Sequence, residues 1–291
     1  MGPNATLTLY SLWRLMNIEG PYLRPGLNGV RVPPLNAKPY AVDWRFLPDW
    51  MLVGKDYVRQ RLVEASITAA EHSLTQPLWR ATLGQRTLSS LERSNMLLVH
   101  VPRTGGTSIS LHLYGRNLPH FSMRFYQDVF GERLASMPIF AVIRDPVERF
   151  ISAYHFVRDG GTQLMASDRF SGFKLRHLHS IEDYVDYFTE DPERRGAILP
   201  FAEQHKFILD HENRIAVDRL FAMNRRIGFS GQLFDWLQTP RLPHINATTT
   251  PYPELADGTR TRIENLYAHD LTLYHMVMSD GGAAQMRGHP L

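Results

Sequence analysis

The chain has 291 residues, of which 43% are hydrophobic and 21% charged, so it can bury the core of one large α/β domain with an extension. Its net charge of +3, without a long run of Lys or Arg, argues against a nucleic-acid-binding protein. The absence of cysteine excludes disulfide frameworks and thiolate metal sites and favours a reducing compartment.

The amino-terminal stretch shows no recognisable targeting signal. Residues 1–20 lack the charged start and the apolar core of a signal peptide. No apolar run in the sequence reaches the roughly 18 residues that span a bilayer, so we expect no transmembrane segment. Together with the missing cysteines, these features predict a cytoplasmic protein.

Residues 20–50 contain six prolines among five aromatic side chains. The prolines exclude a regular helix and the aromatics argue against disorder, so we expect an irregular arm packed on the main domain, followed by a helix over residues 55–73. The alternatives for the arm are recognition of an acceptor substrate and a homodimer contact. The predicted organisation is an extension over residues 1–90, a main domain over residues 91–279 and a flexible tail over residues 280–291.

A short apolar run, Met96 to Val101, is typical of a strand buried on both faces of a parallel sheet. The pair Gly105–Gly106 follows, and glycine allows positive φ and a close approach of a ligand to the backbone. Thr107 and Ser108 suit the N-cap of a helix that runs through Leu113. Strand, turn and helix start predict a phosphate or sulfate site, because backbone N–H groups and the positive helix end share one hollow.

This spacing matches neither of two common nucleotide-binding loops. The glycine spacing and lysine of a Walker A loop are absent, and so is the Gly-x-Gly-x-x-Gly dinucleotide fingerprint. A plain tight turn is the alternative, since Gly-Gly pairs often mark turns. Arg103 just before the turn and the hydroxyl residues just after it favour the anion site.

A second buried strand, Pro138 to Ile143, leads into a helix with clear start signals. Asp145 is a good N-cap, and Glu148 three residues later can complete a capping box. Arg144 therefore stands at the carboxyl end of a strand, where ligands of open α/β sheets bind. Ser152 lies about two turns into the helix, so it is a second candidate ligand group.

The rest of the main domain alternates loops with short elements. Residues 159–179 mix basic and aromatic side chains with three glycines and are predicted to form a mobile acceptor-side loop, with a plain solvated loop as the alternative. The later predicted elements are a helix from Ser180 to Thr189, a strand from Arg219 to Met223, a helix from Phe229 to Gln238 and a closing helix from Thr261 to Met278.

The two strand-end motifs resemble those of one enzyme family. The segment His100–Ser108 resembles the 5′-phosphosulfate loop of sulfotransferases that use 3′-phosphoadenosine 5′-phosphosulfate (PAPS), in the variant of the carbohydrate branch. The segment Arg144–Tyr154 is similar to the family's 3′-phosphate motif, and Arg241–Thr248 followed by Tyr267–Tyr274 resembles its closing region. The resemblance covers residues 95–278 and is to heparan sulfate 2-O-sulfotransferases and their bacterial relatives.

The resemblance implies a fold, a donor and a set of site residues. We expect an α/β fold with a P-loop-like parallel sheet flanked by helices, as in sulfotransferases. The donor is then PAPS, with 3′-phosphoadenosine 5′-phosphate (PAP) as product and no metal, because N–H groups and arginines supply the positive field. The residues implied are Arg103, Thr104, Gly105, Gly106, Thr107 and Ser108 at the phosphosulfate, and Arg144 and Ser152 at the 3′-phosphate.

Arg103 departs from the family pattern, which has lysine at this position. Arginine keeps the charge and can donate to two oxygens, but with a pKa above about 12 it hardly gives up a proton. We expect an active O-sulfotransferase with Arg103 among its catalytic residues, because stabilisation of charge on the bridging oxygen is usually the larger effect. The alternatives are a PAP- or PAPS-binding protein without catalysis and a P-loop nucleotide kinase.

An acceptor hydroxyl must lose its proton as it attacks sulfur, so a base is needed near the loop. His120 is the first candidate, because imidazole titrates near neutrality and the family's bacterial members carry a similar histidine in this interval. His112, one turn after Ser108 on the same helix face, and Asp128 are the alternatives. We expect a sugar or glycolipid acceptor in a bacterial cytoplasm, and no nucleic-acid partner.

Overall fold

A computed structural model describes residues 85–161, 174–226, 228–242 and 252–289. Several predictions lie outside these residues, namely the irregular arm, the helix over residues 55–73, most of the acceptor-side loop and residues 243–248 of the closing region. The described residues form a five-stranded sheet flanked by helices, in agreement with the predicted α/β class.

The elements of the described residues are numbered here in chain order. The strands are β1 (Leu97–Val99), β2 (Ile139–Arg144), β3 (Arg219–Asn224), β4 (Gly228–Phe229) and β5 (Ala283–Gln285). The α-helices are α1 (Gln85–Ser94), α2 (Gly106–Tyr114), α3 (Met123–Phe130), α4 (Pro146–Arg158), α5 (Ile181–Glu190), α6 (His205–Ile208), α7 (Gly231–Trp236), α8 (Asp257–Leu266) and α9 (Ala268–Ser279). Short 3₁₀ turns cover Gly131–Ser136, Pro192–Arg195 and Leu199–Phe201.

The first three strands of the sheet are parallel neighbours in the order β1, β2, β3. β4 and β5 both run antiparallel to β3, β4 beside its carboxyl end and β5 beside its amino end. Because β1 and β2 are adjacent and parallel, their carboxyl ends meet at the same edge of the sheet. The fold therefore brings the two sequence motifs together, although about forty residues separate them.

Two apolar clusters hold these elements together. The larger contains the buried strands β1 and β2 with side chains of α1, α2, α3, α6, α7 and α9. The smaller lies between α4, α5 and α8 and is rich in aromatics, with Phe150 in edge contact with Phe188 and Phe201. Since α4 begins directly after Arg144, the smaller cluster sets the direction in which the helix leaves the second strand end.

The predicted closing helix is wrong in one respect, because two helices occupy the region with a break at Tyr267 (φ −122°, ψ 35°). Tyr267 is buried, and its hydroxyl donates to the Phe201 carbonyl at 2.7 Å. The guanidinium groups of Arg149 and Arg195 lie over its ring. These contacts hold the residue out of helical conformation, so tertiary packing overrides the local preference for helix.

The segment predicted to be a flexible tail contains a strand of the sheet. Strand β5 pairs with the amino end of β3, and Ala283 and Ala284 are buried. The reversal from α9 into β5 passes through Gly281 (φ +73°) and Gly282 (φ +92°), a conformation that glycine adopts without strain. The short apolar run after two glycines was the signal for this turn and strand.

The other predicted elements agree with the structure apart from their ends. Helix α5 begins with the expected capping box, in which Ser180 and Asp183 each accept from the other's backbone N–H. The helix predicted from Phe229 to Gln238 is shorter in the structure. Phe229 belongs to β4, where it pairs with Met223 of β3, and α7 begins only at Gly231.

A tyrosine side chain completes the outer edge of β1. The Leu98 N–H donates to Tyr114 Oη at 2.8 Å, and Tyr114 Oη donates to the Met96 carbonyl at 3.0 Å. Tyr114 lies on α2, so these two bonds tie α2 to the strand that precedes the glycine turn. Burial raises the pKa of Tyr114, which keeps the phenol protonated as a donor.

We predict that Tyr114→Phe lowers the free energy of unfolding by about 1–3 kcal/mol, because the Leu98 N–H is left buried without its acceptor. Urea unfolding followed by circular dichroism measures the change. Tyr126→Phe is the matched control, since among the described residues the buried Tyr126 hydroxyl has no hydrogen-bond partner. Removal of the Tyr126 hydroxyl should leave the free energy of unfolding unchanged or raise it. An equal decrease in the free energy of unfolding of the two variants would contradict the prediction.

Candidate functional site

The turn after β1 has the backbone that an anion site requires. Arg103 (φ +67°) and Gly105 (φ +77°) both lie in the left-handed region, and α2 begins directly at Gly106. The Thr104 hydroxyl donates to the Val101 carbonyl at 3.0 Å, which closes the turn. No side chain caps α2 at Gly105, so the first N–H groups of the helix are not covered by a capping residue.

Thr107 and Ser108 do not cap the helix as predicted. They occupy the first turn of α2, because the chain turns sharply at Gly105 and enters helical conformation earlier than expected. The Ser108 N–H donates to the Gly105 carbonyl at 3.1 Å. The predicted loop residues from Arg103 to Ser108 thus form one continuous turn and helix start at the end of β1.

The imidazole of His100 lies directly against Gly106. A Cβ on Gly106 would come within 2.2 Å of His100 Cδ2, so no larger residue fits without displacing the ring. His100 Nδ1 lies 2.9 Å from the Leu118 carbonyl, which only accepts, so Nδ1 carries the proton. The ring therefore fixes the distance between the start of α2 and the segment that follows it.

The guanidinium of Arg103 reaches across to α4. Its Nη2 and Nε donate to Ser152 Oγ at 3.0 and 3.3 Å, and it stacks on the Phe156 ring at 4.4 Å. Burial, with the nearby charge of Arg144, lowers the pKa of Arg103 to about 10, so the group stays protonated at neutral pH. Within the described residues, Arg103 forms no ion pair with a carboxylate.

Arg144 stands at the end of the neighbouring strand. It is buried at the end of β2, its Nε donates to Glu148 at 3.1 Å and its Nη2 donates to Tyr252 Oη at 2.6 Å. The predicted cap is present, since Asp145 accepts from the Glu148 N–H at 2.9 Å, but the predicted capping box is not completed, because the Glu148 carboxylate has other partners. The Glu148 carboxylate accepts hydrogen bonds from Arg144 Nε and from the Arg225 N–H, which hold it beside the end of the strand.

The base candidates lie in three different environments. His120 Nδ1 donates to the His100 carbonyl at 2.7 Å, and the two imidazole centroids are 4.0 Å apart. This bond places the proton of neutral His120 on Nδ1 and its lone pair on Nε2. His112 is exposed in the last turn of α2, and Asp128 on α3 accepts from His211 Nε2 at 3.0 Å.

Two contacts at the site were missed by the sequence analysis. Phe156 lies one turn after Ser152, so helical spacing could have placed it beside Arg103. Tyr252 is more than one hundred residues from Arg144, and no local sequence pattern marks it as a contact. Both are aromatic surfaces for guanidinium groups, which orient the arginines without neutralising them.

The charge of the site is predominantly positive. Arg103 and Arg144 come from neighbouring strand ends and Arg149 adds to the field, whereas Glu148 is the carboxylate that the structure places against Arg144. An excess of buried positive charge suits a ligand with several negative charges.

A comparison with protein-family models matches the sulfotransferase family over residues 90–276, which is more than half of the chain. The chain belongs to the sulfotransferase family. This sulfotransferase is therefore a transferase of sulfuryl groups. Its family membership excludes the alternative of a P-loop nucleotide kinase. Searches of curated proteins and of solved structures gave no match.

Two features are absent from the described part of this sulfotransferase. None of its helices has the length and apolar composition that crossing a membrane requires. In those same ranges, no group of three or more His, Asp or Glu side chains is arranged to hold a metal ion.

We predict that Gly106→Ala destabilises this sulfotransferase by about 1–3 kcal/mol, because the new methyl group pushes the His100 ring aside. The same displacement should shift the NMR signals of the His120 ring, which donates to the His100 carbonyl. Gly115→Ala is the control, since Gly115 has positive φ but nothing within 4 Å of its Cβ position. It should cost about 1 kcal/mol and leave the His120 signals in place. A Gly106→Ala protein with unmoved His120 signals would contradict this account.

Proposed function

We propose that this sulfotransferase takes the sulfuryl group of PAPS and passes it to a hydroxyl of a carbohydrate or glycolipid. The observation that supports the proposal most is the meeting of Arg103 and Ser152, which joins the end of β1 to the helix that follows Arg144. One motif alone would serve any phosphate. Two arginine-bearing ends of adjacent strands suit a nucleotide that is anionic at both its 5′ and 3′ positions.

The residues divide between the two ends of the donor. The turn from Arg103 to Ser108 would hold the 5′-phosphosulfate through backbone N–H groups and the Arg103 guanidinium. Arg144 and Ser152 would hold the 3′-phosphate. PAPS supplies an activated sulfuryl group and leaves as PAP.

The protein's own groups supply the proton transfer and the charge stabilisation. His120, with its lone pair on Nε2, would take the proton of the acceptor hydroxyl as the new O–S bond forms and the bond between sulfur and the bridging oxygen breaks. Arg103 and the first N–H groups of α2 would stabilise the negative charge that develops on that oxygen. No oxidant, reductant or metal enters this balance.

Arginine in place of lysine at position 103 is compatible with this role. Arg103 keeps its charge at neutral pH, although burial and the nearby Arg144 lower its pKa to about 10. The guanidinium fork can also donate to two oxygens of a ligand, whereas in this structure its Nε and Nη2 both donate to Ser152 Oγ. The alternative is a protein that binds PAP or PAPS without catalysis, and it is motivated by the arginine at position 103. Transfer of labelled sulfate from PAPS to a mixed glycan pool would exclude this alternative.

We predict that Arg144→Ala weakens PAP binding by about 100-fold or more, because a charge-assisted contact is worth about 3 kcal/mol. Titration calorimetry with PAP measures the effect. Arg133→Ala is the control, since Arg133 is an exposed arginine paired with Glu92 on the surface. Unchanged PAP affinity in Arg144→Ala would remove Arg144 from the donor site.

We predict that His120→Ala lowers the rate of sulfate transfer by about 10²–10⁴-fold and leaves PAP affinity intact, because a general base acts in the chemical step. A screen of labelled PAPS with lipopolysaccharide, capsular polysaccharide, glycolipids and small alcohols first identifies an acceptor. His112→Ala, which changes an exposed histidine of α2, should keep the full rate. Full activity of His120→Ala would pass the role to His112 or Asp128.

A further inference from the structure

The backbone of Arg144 is held by a side chain that no motif includes. The Arg144 N–H donates to Gln204 Oε1 at 2.9 Å, and Gln204 Nε2 donates to the Arg144 carbonyl at 2.8 Å. Gln204 is fully buried, and both ends of its amide bind the same residue. It therefore acts on the main chain of Arg144 as a neighbouring strand would.

The sheet itself leaves this position open. The ladder between β1 and β2 ends at the pair Val99 and Ala141, three residues before Arg144. Beyond that pair, β2 has β3 on one side, where Arg144 lies opposite Met223. Since both main-chain polar groups of Arg144 bind Gln204, the glutamine amide replaces the missing strand at the last residue of β2.

Gln204 is fixed in turn by an aspartate from α9. The Gln204 N–H and the His205 N–H donate to the two carboxylate oxygens of Asp270 at 2.8 and 2.9 Å. His205 Nδ1 lies 2.8 Å from the same carboxylate. Burial opposes ionisation of Asp270, but these hydrogen bonds hold its pKa below the usual value, so it remains a charged acceptor.

The segment that carries Gln204 is also tied to the helix that follows Arg144. Arg149 on α4 donates to the carbonyls of Pro200 and Ala202 at 3.1 and 2.7 Å. Residues 200–204 are thus bound to α4 at one end and to Asp270 at the other. A rigid support of this kind is what a charged ligand-binding side chain needs to keep its geometry.

We propose that Gln204, held by Asp270, is a positioning residue for Arg144 that sets the affinity of the site for the 3′-phosphate of the donor. This inference rests on the proposed function, because it assumes that Arg144 binds that phosphate. The guanidinium keeps its own contacts with Glu148 and Tyr252, and Gln204 acts only through the main chain from which the side chain starts. Its effect should therefore be confined to ligands that carry a 3′-phosphate.

The test compares PAP with AMP, which lacks the 3′-phosphate, by ligand-detected NMR titration. Gln204→Met keeps the length of the side chain and removes both hydrogen bonds to Arg144. We expect PAP affinity to fall at least 10-fold and AMP affinity to change less than 2-fold. In an Arg144→Ala background, Gln204→Met should change PAP affinity less than 2-fold, because the residue it positions is gone.

Three results would overturn the inference. These are equal weakening of PAP and AMP, an unchanged PAP affinity, and a full additional loss in the Arg144→Ala background. If Gln204→Met does not fold, Asp270→Asn replaces it, since it retains the shape of the carboxylate while weakening the bonds to Gln204 and His205. The same PAP-specific loss is then expected. A wild-type protein that fails to bind PAP would refute the proposed function itself, whereas wild-type binding with unaffected variants refutes the inference alone.

Discussion

The adjacency of two parallel strands is the constraint on which the site depends. Because β1 and β2 are neighbours, Arg103 and Arg144 must emerge at one edge of the sheet, close enough for one charge to lower the pKa of the other. Like charges at short range disfavour the empty site, and an anion that binds there relieves the repulsion. Stability and ligand affinity are thus opposed at this edge, and the surrounding contacts hold the arginines in position despite their repulsion.

Those contacts orient the arginines without cancelling their charge. Phe156 and Tyr252 offer aromatic faces, and Ser152 and Tyr252 offer hydroxyl oxygens. Glu148 is the exception, and it also binds the Arg225 N–H, so its charge is shared with a main-chain donor. The site consequently keeps most of its positive field for the ligand.

The sequence predicted the features that depend on neighbours in the chain. The Asp145 cap and the Ser180 capping box follow from residues three positions apart, and the buried strands follow from short apolar runs. The break at Tyr267 could not be predicted in this way, because it depends on Phe201, Arg149 and Arg195. The contacts of Gln204 and Tyr252 with Arg144 were not predicted for the same reason, since only the folded chain places these residues beside Arg144.

His100 connects features that the chain keeps apart. Its ring lies against Gly106 and its Nδ1 donates to the Leu118 carbonyl. Its own carbonyl accepts a hydrogen bond from His120 Nδ1. One residue therefore touches both the glycine turn and the imidazole that would act on the acceptor. A displacement of the glycine turn would therefore push on the His100 ring, and through the His100 carbonyl it would alter the position of the His120 imidazole.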